Sequence, residues 1–128
     1  MAKHKKLLSL SKEFQSMIGL EDCPSDVRIQ VDGLKAHIIK RGHQSILPYF
    51  NRLEEILSHP DYIGVNPREK GKSTEFIKVF DKNVLVAIKL HNSGDFFYIP
   101  TMYEIQEYKL QSRYQNGRLK KIDNSEKK

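Results

Sequence analysis

LKAHIIKRGHQS, residues 34–45, sets two imidazoles, His37 and His43, among three fixed cations, Lys35, Lys40 and Arg41. Leu34, His37, Ile38 and Arg41 fall at i, i+3, i+4 and i+7, so a helix carries them on one stripe. Leu34 and Ile38 turn that stripe toward a core and bring His37 and Arg41 with them. A structural explanation exists: a histidine at the core border with a hydrogen-bond partner, and an arginine whose stem snorkels to water. The chemical explanation is more specific. One helical turn places an imidazole beside a guanidinium, imidazole near neutral pH can accept a proton, and an arginine facing a sheet calls for an anion. Lys35 and Lys40 fall on the solvated face.

Other residues raise the same choice. Lys89 closes the apolar run VLVAIKL, where a charge either marks the start of solvent or points at a ligand. His91 follows on the same strand face beside a turn. Thr101, Tyr103 and Tyr98 offer hydroxyls, although threonine is ordinary in a strand. Between Lys109 and Lys121 there are five cations and no acid, Lys109 and Arg113 among them, with Tyr108 and Tyr114 interleaved. Such a segment can track a phosphate backbone or form a solvated helix face. Taken together, His, Arg, Lys and Thr on a basic chain suit RNA transesterification. A base removes the ribose 2′-OH proton, cations and hydroxyls stabilise charge on the phosphoryl oxygens, and an acid protonates the leaving 5′ oxygen. The nucleophile belongs to the RNA, so this chemistry needs no metal or cofactor.

Several other site classes are excluded by spacing. GVNPREKGKS ends like a phosphate-binding loop, but Gly64 and Gly71 are seven positions apart where the motif has five. There is no GxSxG elbow, HExxH pair or CxxC, and the acids are scattered rather than paired. Cys23 is the one cysteine, so no internal disulfide forms, which fits a reducing compartment.

The elements that must position these residues follow from periodicity. Residues 5–18 place Leu7, Leu8, Phe14, Met17 and Ile18 near helical spacing, predicting a first helix that ends at Gly19. EDCPSD is a loop and VRIQV a short strand; Asp32-Gly33 turns the chain into the stripe helix, which Gly42 ends. A second helix is expected from Ser45 to Ser58, stopped by His59-Pro60. DYIGV is a strand and NPREKGKS an exposed charged loop. TEFIKVF, VLVAIKL and FFYIPTMY, joined by short polar turns, predict an antiparallel meander. In the middle strand Val84, Val86, Ile88 and Leu90 share one face, and Leu85, Ala87, Lys89 and His91 the other. In the last, Phe97, Ile99, Thr101 and Tyr103 are expected on one face, with Pro100 at an edge or a bulge. EIQEYKLQSRYQ is a closing helix ended by Asn116-Gly117, and DNSEKK a frayed tail. Helices segregated from an antiparallel meander define an α+β domain.

At 128 residues the chain suits one domain, and its net charge of +6 favours an anionic partner. The opening MAKHKKLLSL is basic and then apolar, but Lys12 and Glu13 interrupt the run, and no stretch is long enough to span a membrane. The expectation is a soluble, cytoplasmic protein. Its divisions are an N-terminal helix and loop over 1–24, one domain over 25–121 and a disordered tail over 122–128.

GLKAHIIKRGH, ILSHPDYIG, EFIKVFDKNVLVAIKL and YIPTMYEIQEYKLQSRYQNGRLKK, spread over about residues 27–121, resemble the phage-associated branch of the barnase–EndoU–colicin–RelE (BECR) nuclease-like superfamily. The carrying phrases are H-x-x-x-R-x-H, HPDYIG and PTMYEI. The resemblance implies N-terminal helices on a curved antiparallel sheet, a C-terminal helix, and a metal-independent ribonuclease of phage or mobile-element origin, often toxin-like. It assigns catalytic roles to His37, as general base or acid, Arg41, Lys89 as phosphate-binding cation and Thr101 as hydroxyl donor. Tyr103 becomes a stacking or hydrogen-bonding residue. We take His43, His91, Tyr103, Lys109 and Arg113 as candidate substrate contacts. Gly42 stands between Arg41 and His43 and can turn His43 out of the site. RNA is the expected partner, with a neutralising protein as a second. The alternative is a non-catalytic module of the same fold that binds nucleic acid or protein through its basic surface.

Overall fold

The computed structural model describes residues 4–17, 19–65 and 73–122. These form seven strands and four α-helices: β1 (Lys5–Ser9), α1 (Lys12–Met17), β2 (Asp26–Ile29), α2 (Val31–Lys40), a 3-10 segment (Gln44–Arg52), α3 (Leu53–Ser58), β3 (Tyr62–Val65), β4 (Ser73–Val79), β5 (Asn83–Leu90), β6 (Phe97–Glu104), α4 (Glu107–Gln115) and β7 (Leu119–Lys121). The strands make one open sheet in the order β1-β2-β6-β5-β4-β3-β7. Every pairing is antiparallel except β2 with β6. This is the α+β architecture the periodicity predicts, with the meander β4-β5-β6 at its centre.

Two clusters of buried side chains lie on opposite faces of the sheet. Leu34 and Ile38 of α2, Ile46 and Phe50 of the 3-10 segment, and Leu53, Ile56 and Leu57 of α3 pack on Val84, Val86 and Ile88 of β5. On the other face, Leu110 of α4 joins Ile77, Leu85, Ala87, Ile105 and Leu119. The alternation expected along β5 is therefore present. Ile38 is fully buried, so it fixes the seat of α2; truncation to alanine would cost about 2–5 kcal/mol.

Some elements differ from expectation. Lys5–Ser9 is a strand paired with β2, not the start of a helix. The helix begins only at Lys12 because the Ser11 hydroxyl accepts the Phe14 amide at 3.1 Å and caps it. Asp32-Gly33 lies inside the first turn of α2, where the Asp32 carboxylate complements the helix dipole. The helix expected over 45–58 is split: Gln44–Arg52 is a 3-10 segment with Pro48 inside it, and the α-helix begins only at Leu53. Leu119–Lys121 adds a strand beside β3 that is too short to carry a period of its own.

The largest correction concerns β6. Ala87 pairs with Thr101 but Lys89 pairs with Tyr98, so one residue of β5, Ile88, opposes two of β6, Ile99 and Pro100. This bulge absorbs Pro100, which lies within the sheet rather than at its edge. It also reverses the alternation. Phe97, Ile99 and Met102 belong to the core beneath α2, whereas Tyr98, Thr101 and Tyr103 share the opposite face with Ala87 and Lys89. Phe97, Ile99, Thr101 and Tyr103 thus do not share a face. Among the described residues no helix is long and apolar enough to cross a membrane. The segments NPREKGK and DNSEKK lie outside the described residues.

Candidate active site

The predicted stripe of α2 divides as it leaves the core. Leu34 and Ile38 are buried, His37 is half-buried and Arg41 is exposed. His37 and Arg41 thus stand on the flank of α2, one turn apart, with Cβ atoms about 6 Å from each other. Beyond Arg41, Gly42 adopts φ 76°, the left-handed conformation that favours glycine. The Gly42 amide donates to the Ile39 carbonyl and the His43 amide to the Ile38 carbonyl, at 3.0 and 2.9 Å. These bonds form a Schellman cap. The turn does not expel His43. It folds the imidazole back against Tyr103, with ring centroids 5.5 Å apart and planes inclined by 33°.

His37, Arg41 and His43 form one wall of a cleft of about 620 Å³. Pro100, Thr101 and Tyr103, at and beyond the β6 bulge, form its floor, with Glu104 beside them. Gln106, Lys109 and Arg113 form the far wall; they lie at i, i+3 and i+7 along the start and face of α4. Arg41 and Lys109 have no ion-pair partner among the described residues. The cleft therefore presents cations, imidazoles and hydroxyls to one volume, a composition suited to an anion that changes charge during reaction.

Arg113 is held differently. Its Nη1 lies 3.3 Å from Glu75 Oε1, while Arg118 Nη2 meets both Glu75 oxygens at 2.9 Å. Glu75 is 3 % exposed and, on β4, lies directly across from Ala87. Arg118 reaches it through a second Schellman cap, in which Gly117 has φ 87° and the Arg118 amide donates to the Arg113 carbonyl at 2.9 Å.

Lys89 does not line the cleft itself. It lines an adjoining hollow of about 260 Å³ that shares Pro100, Thr101 and Tyr103 with the cleft and ends at Ser73 and Glu75. His91 lines neither. Its ring stacks on Phe96 with centroids 4.4 Å apart, and its Nδ1 accepts the Ser93 amide at 3.1 Å. These bonds shape the β5–β6 turn, so the expected substrate contact at His91 is not placed at the cleft.

Glu75, Glu104 and Gln106 were not singled out by the sequence reading. Glu75 carried a signal, as an acid in phase with Ile77 on an apolar strand. Glu104 and Gln106 carried none, because their position depends on how α4 leaves β6. Among the described residues no group of three or more His, Cys, Asp or Glu side chains is arranged to hold a metal ion.

Helices packed before an open, mostly antiparallel sheet, with a cationic cleft beside its last long strand, make this a nuclease-like α+β domain of the BECR type. The family model described as phage-Barnase-EndoU-ColicinE5/D-RelE like nuclease 3 matches residues 5–112, and the chain belongs to that family. The matched span begins with β1, well before the segments in which the resemblance is legible. No curated protein and no solved structure gives a significant match.

Proposed function

We propose that the cleft is the active site of an RNA endonuclease that works without a metal or cofactor and is phage- or mobile-element-associated. The observation that most supports this is the convergence of His37, Arg41, Thr101 and Tyr103 on one volume. In this reaction the ribose 2′ oxygen attacks the adjacent phosphorus. The 2′-O–P bond forms as the P–O5′ bond breaks, the 2′-OH proton passes to a base, and the leaving 5′ oxygen takes a proton from an acid. The products are a 2′,3′-cyclic phosphate and a 5′-OH. His37 performs one of the two proton transfers. Arg41 neutralises charge on the phosphoryl oxygens, Thr101 donates a hydrogen bond to them, and Lys89 holds the strand where it enters the neighbouring hollow.

Tyr103, backed by His43, stacks a flanking base, while Lys109 and Arg113 follow the backbone. A toxin-like role in the cytoplasm, with an acidic protein as neutralising partner over the cleft, follows from the same surface. A non-catalytic binding module is the second reading; the observation on its side is that Arg113 is paired with Glu75.

The test uses a single-stranded RNA and the same sequence with one deoxyribose at the main cleavage position. Loss of cleavage at that position alone is the expected result. Equal cleavage of both strands would exclude the 2′-OH as nucleophile.

A further inference from the structure

We propose that a hollow of about 190 Å³ behind His37 is a nucleobase subsite for a nucleotide flanking the scissile phosphate. This rests on reading the cleft as a site for RNA. His37 and Pro100 line both the hollow and the cleft, so a base placed in the hollow is adjacent to a phosphate at His37. Leu34, Ile99 and Pro100 give it apolar walls, and Gln30, Tyr98 and His4 a polar edge. Apolar faces with a few fixed donors and acceptors are what an unstacked base requires.

Gln30 is the central residue. It is the N-cap of α2, yet its side chain makes no capping hydrogen bond. Its Nε2 lies 3.3 Å from His4 Nε2 instead. Burial, followed by electrostatic repulsion from His91 and Arg28, lowers the His4 pKa below 6.5 and favours the neutral ring. In the tautomer that carries its proton on Nδ1, neutral His4 accepts from the Gln30 amide. His4 Nδ1 is a buried atom with no partner among the described residues.

Gly33 supplies an independent observation. It lies in the first turn of α2 without the positive φ that would call for glycine. A Cβ there would sit 3.1 Å from Gln30 Oε1. Glycine at this position disfavours the helix but leaves the amide room at the mouth of the hollow.

The experiment measures binding, not cleavage. Uncleavable 2′-O-methyl hexanucleotides, uridine throughout except for one position carrying each of the four bases in turn, are titrated against the full chain. The variable position is walked along the strand. At one position the four bases are expected to differ by about tenfold or more in Kd, and Gln30→Ala should reduce that spread to about twofold. Gly33→Ala, which crowds Oε1 without removing the amide, should alter the preference while the helix gains stability; it keeps the test open should Gln30→Ala fold poorly. No base preference at any position, or a preference that survives in Gln30→Ala, would overturn the subsite. If the preference appears while all-ribose strands remain uncut, the subsite stands and the endonuclease reading falls.

Discussion

His37 and Arg41 sit on the same helix as Leu34 and Ile38 but are held by it in different ways. The aliphatic pair fixes α2 in the core, and the polar pair takes its position from that fixation while retaining access to solvent. His37→Ala therefore leaves the fold intact and should lower cleavage by about 10²–10⁴-fold, the range for losing one positioned acid or base; a single-turnover assay with a thermal melt checks both halves. His4 gives a pH prediction. Its folded pKa lies below the ordinary 6.5, first through burial and then through His91 and Arg28. The unfolded chain takes up this proton near 6.5 while the folded chain resists it. This contribution to stability is thus complete above 6.5 and is lost as pH falls toward the folded value. Urea unfolding at a series of pH values should show that slope, and His4→Gln should flatten it. At this scale the sequence was most informative for α2, where local periodicity sets the direction of each side chain. The ring of His91 is engaged by its own turn, through Ser93 and Phe96, which strand alternation cannot show.

Two interruptions of regular structure position the cleft. The Gly42 cap returns His43 to Tyr103, and the bulge at Pro100 turns Thr101 and Tyr103 to the α4 side of the sheet. Gly42→Ala forces a Cβ into the left-handed region and should cost about 1–2 kcal/mol. It should also weaken RNA binding as His43 shifts, seen as lower Tm and higher Kd in the same preparation. Meander, helix order and the C-terminal ends of helices were legible because hydrophobic period and glycine signals are local. The bulge was half legible: Pro100 announced an irregularity, but strict alternation cannot show that it shifts the face of every later residue. β1 and β7 were not legible, since each exists through a partner strand, β2 or β3, distant in sequence. Pro48 announced an irregularity in this segment, although the apolar spacing of residues 46–57 masked it.

At the scale of the whole molecule, the buried carboxylate of Glu75 gathers two of the basic side chains. Glu75 neutralises part of Arg113 and Arg118 and ties β4 to α4 and to the turn before β7. Glu75→Gln would leave two guanidinium groups without their counter-charge and should cost about 3–5 kcal/mol in denaturant unfolding. The remaining cations of the cleft should make binding strongly salt-dependent. For single-stranded RNA and the His37→Ala protein, removing Arg41 should reduce the slope of log Kd against log salt by about 0.7, one phosphate contact. Net charge and basic tracts predicted an anionic partner from sequence. The carboxylate that shapes the charge was obscured because β4 and α4 meet only in three dimensions.

The most direct measurement is incubation of the native chain and His37→Ala with single-stranded RNA in EDTA, followed by analysis of product ends. Native protein alone should cut, leaving 2′,3′-cyclic phosphate and 5′-OH ends. Equal cutting by His37→Ala, or 5′-phosphate ends, would contradict the assignment of this cleft and its imidazole to transesterification.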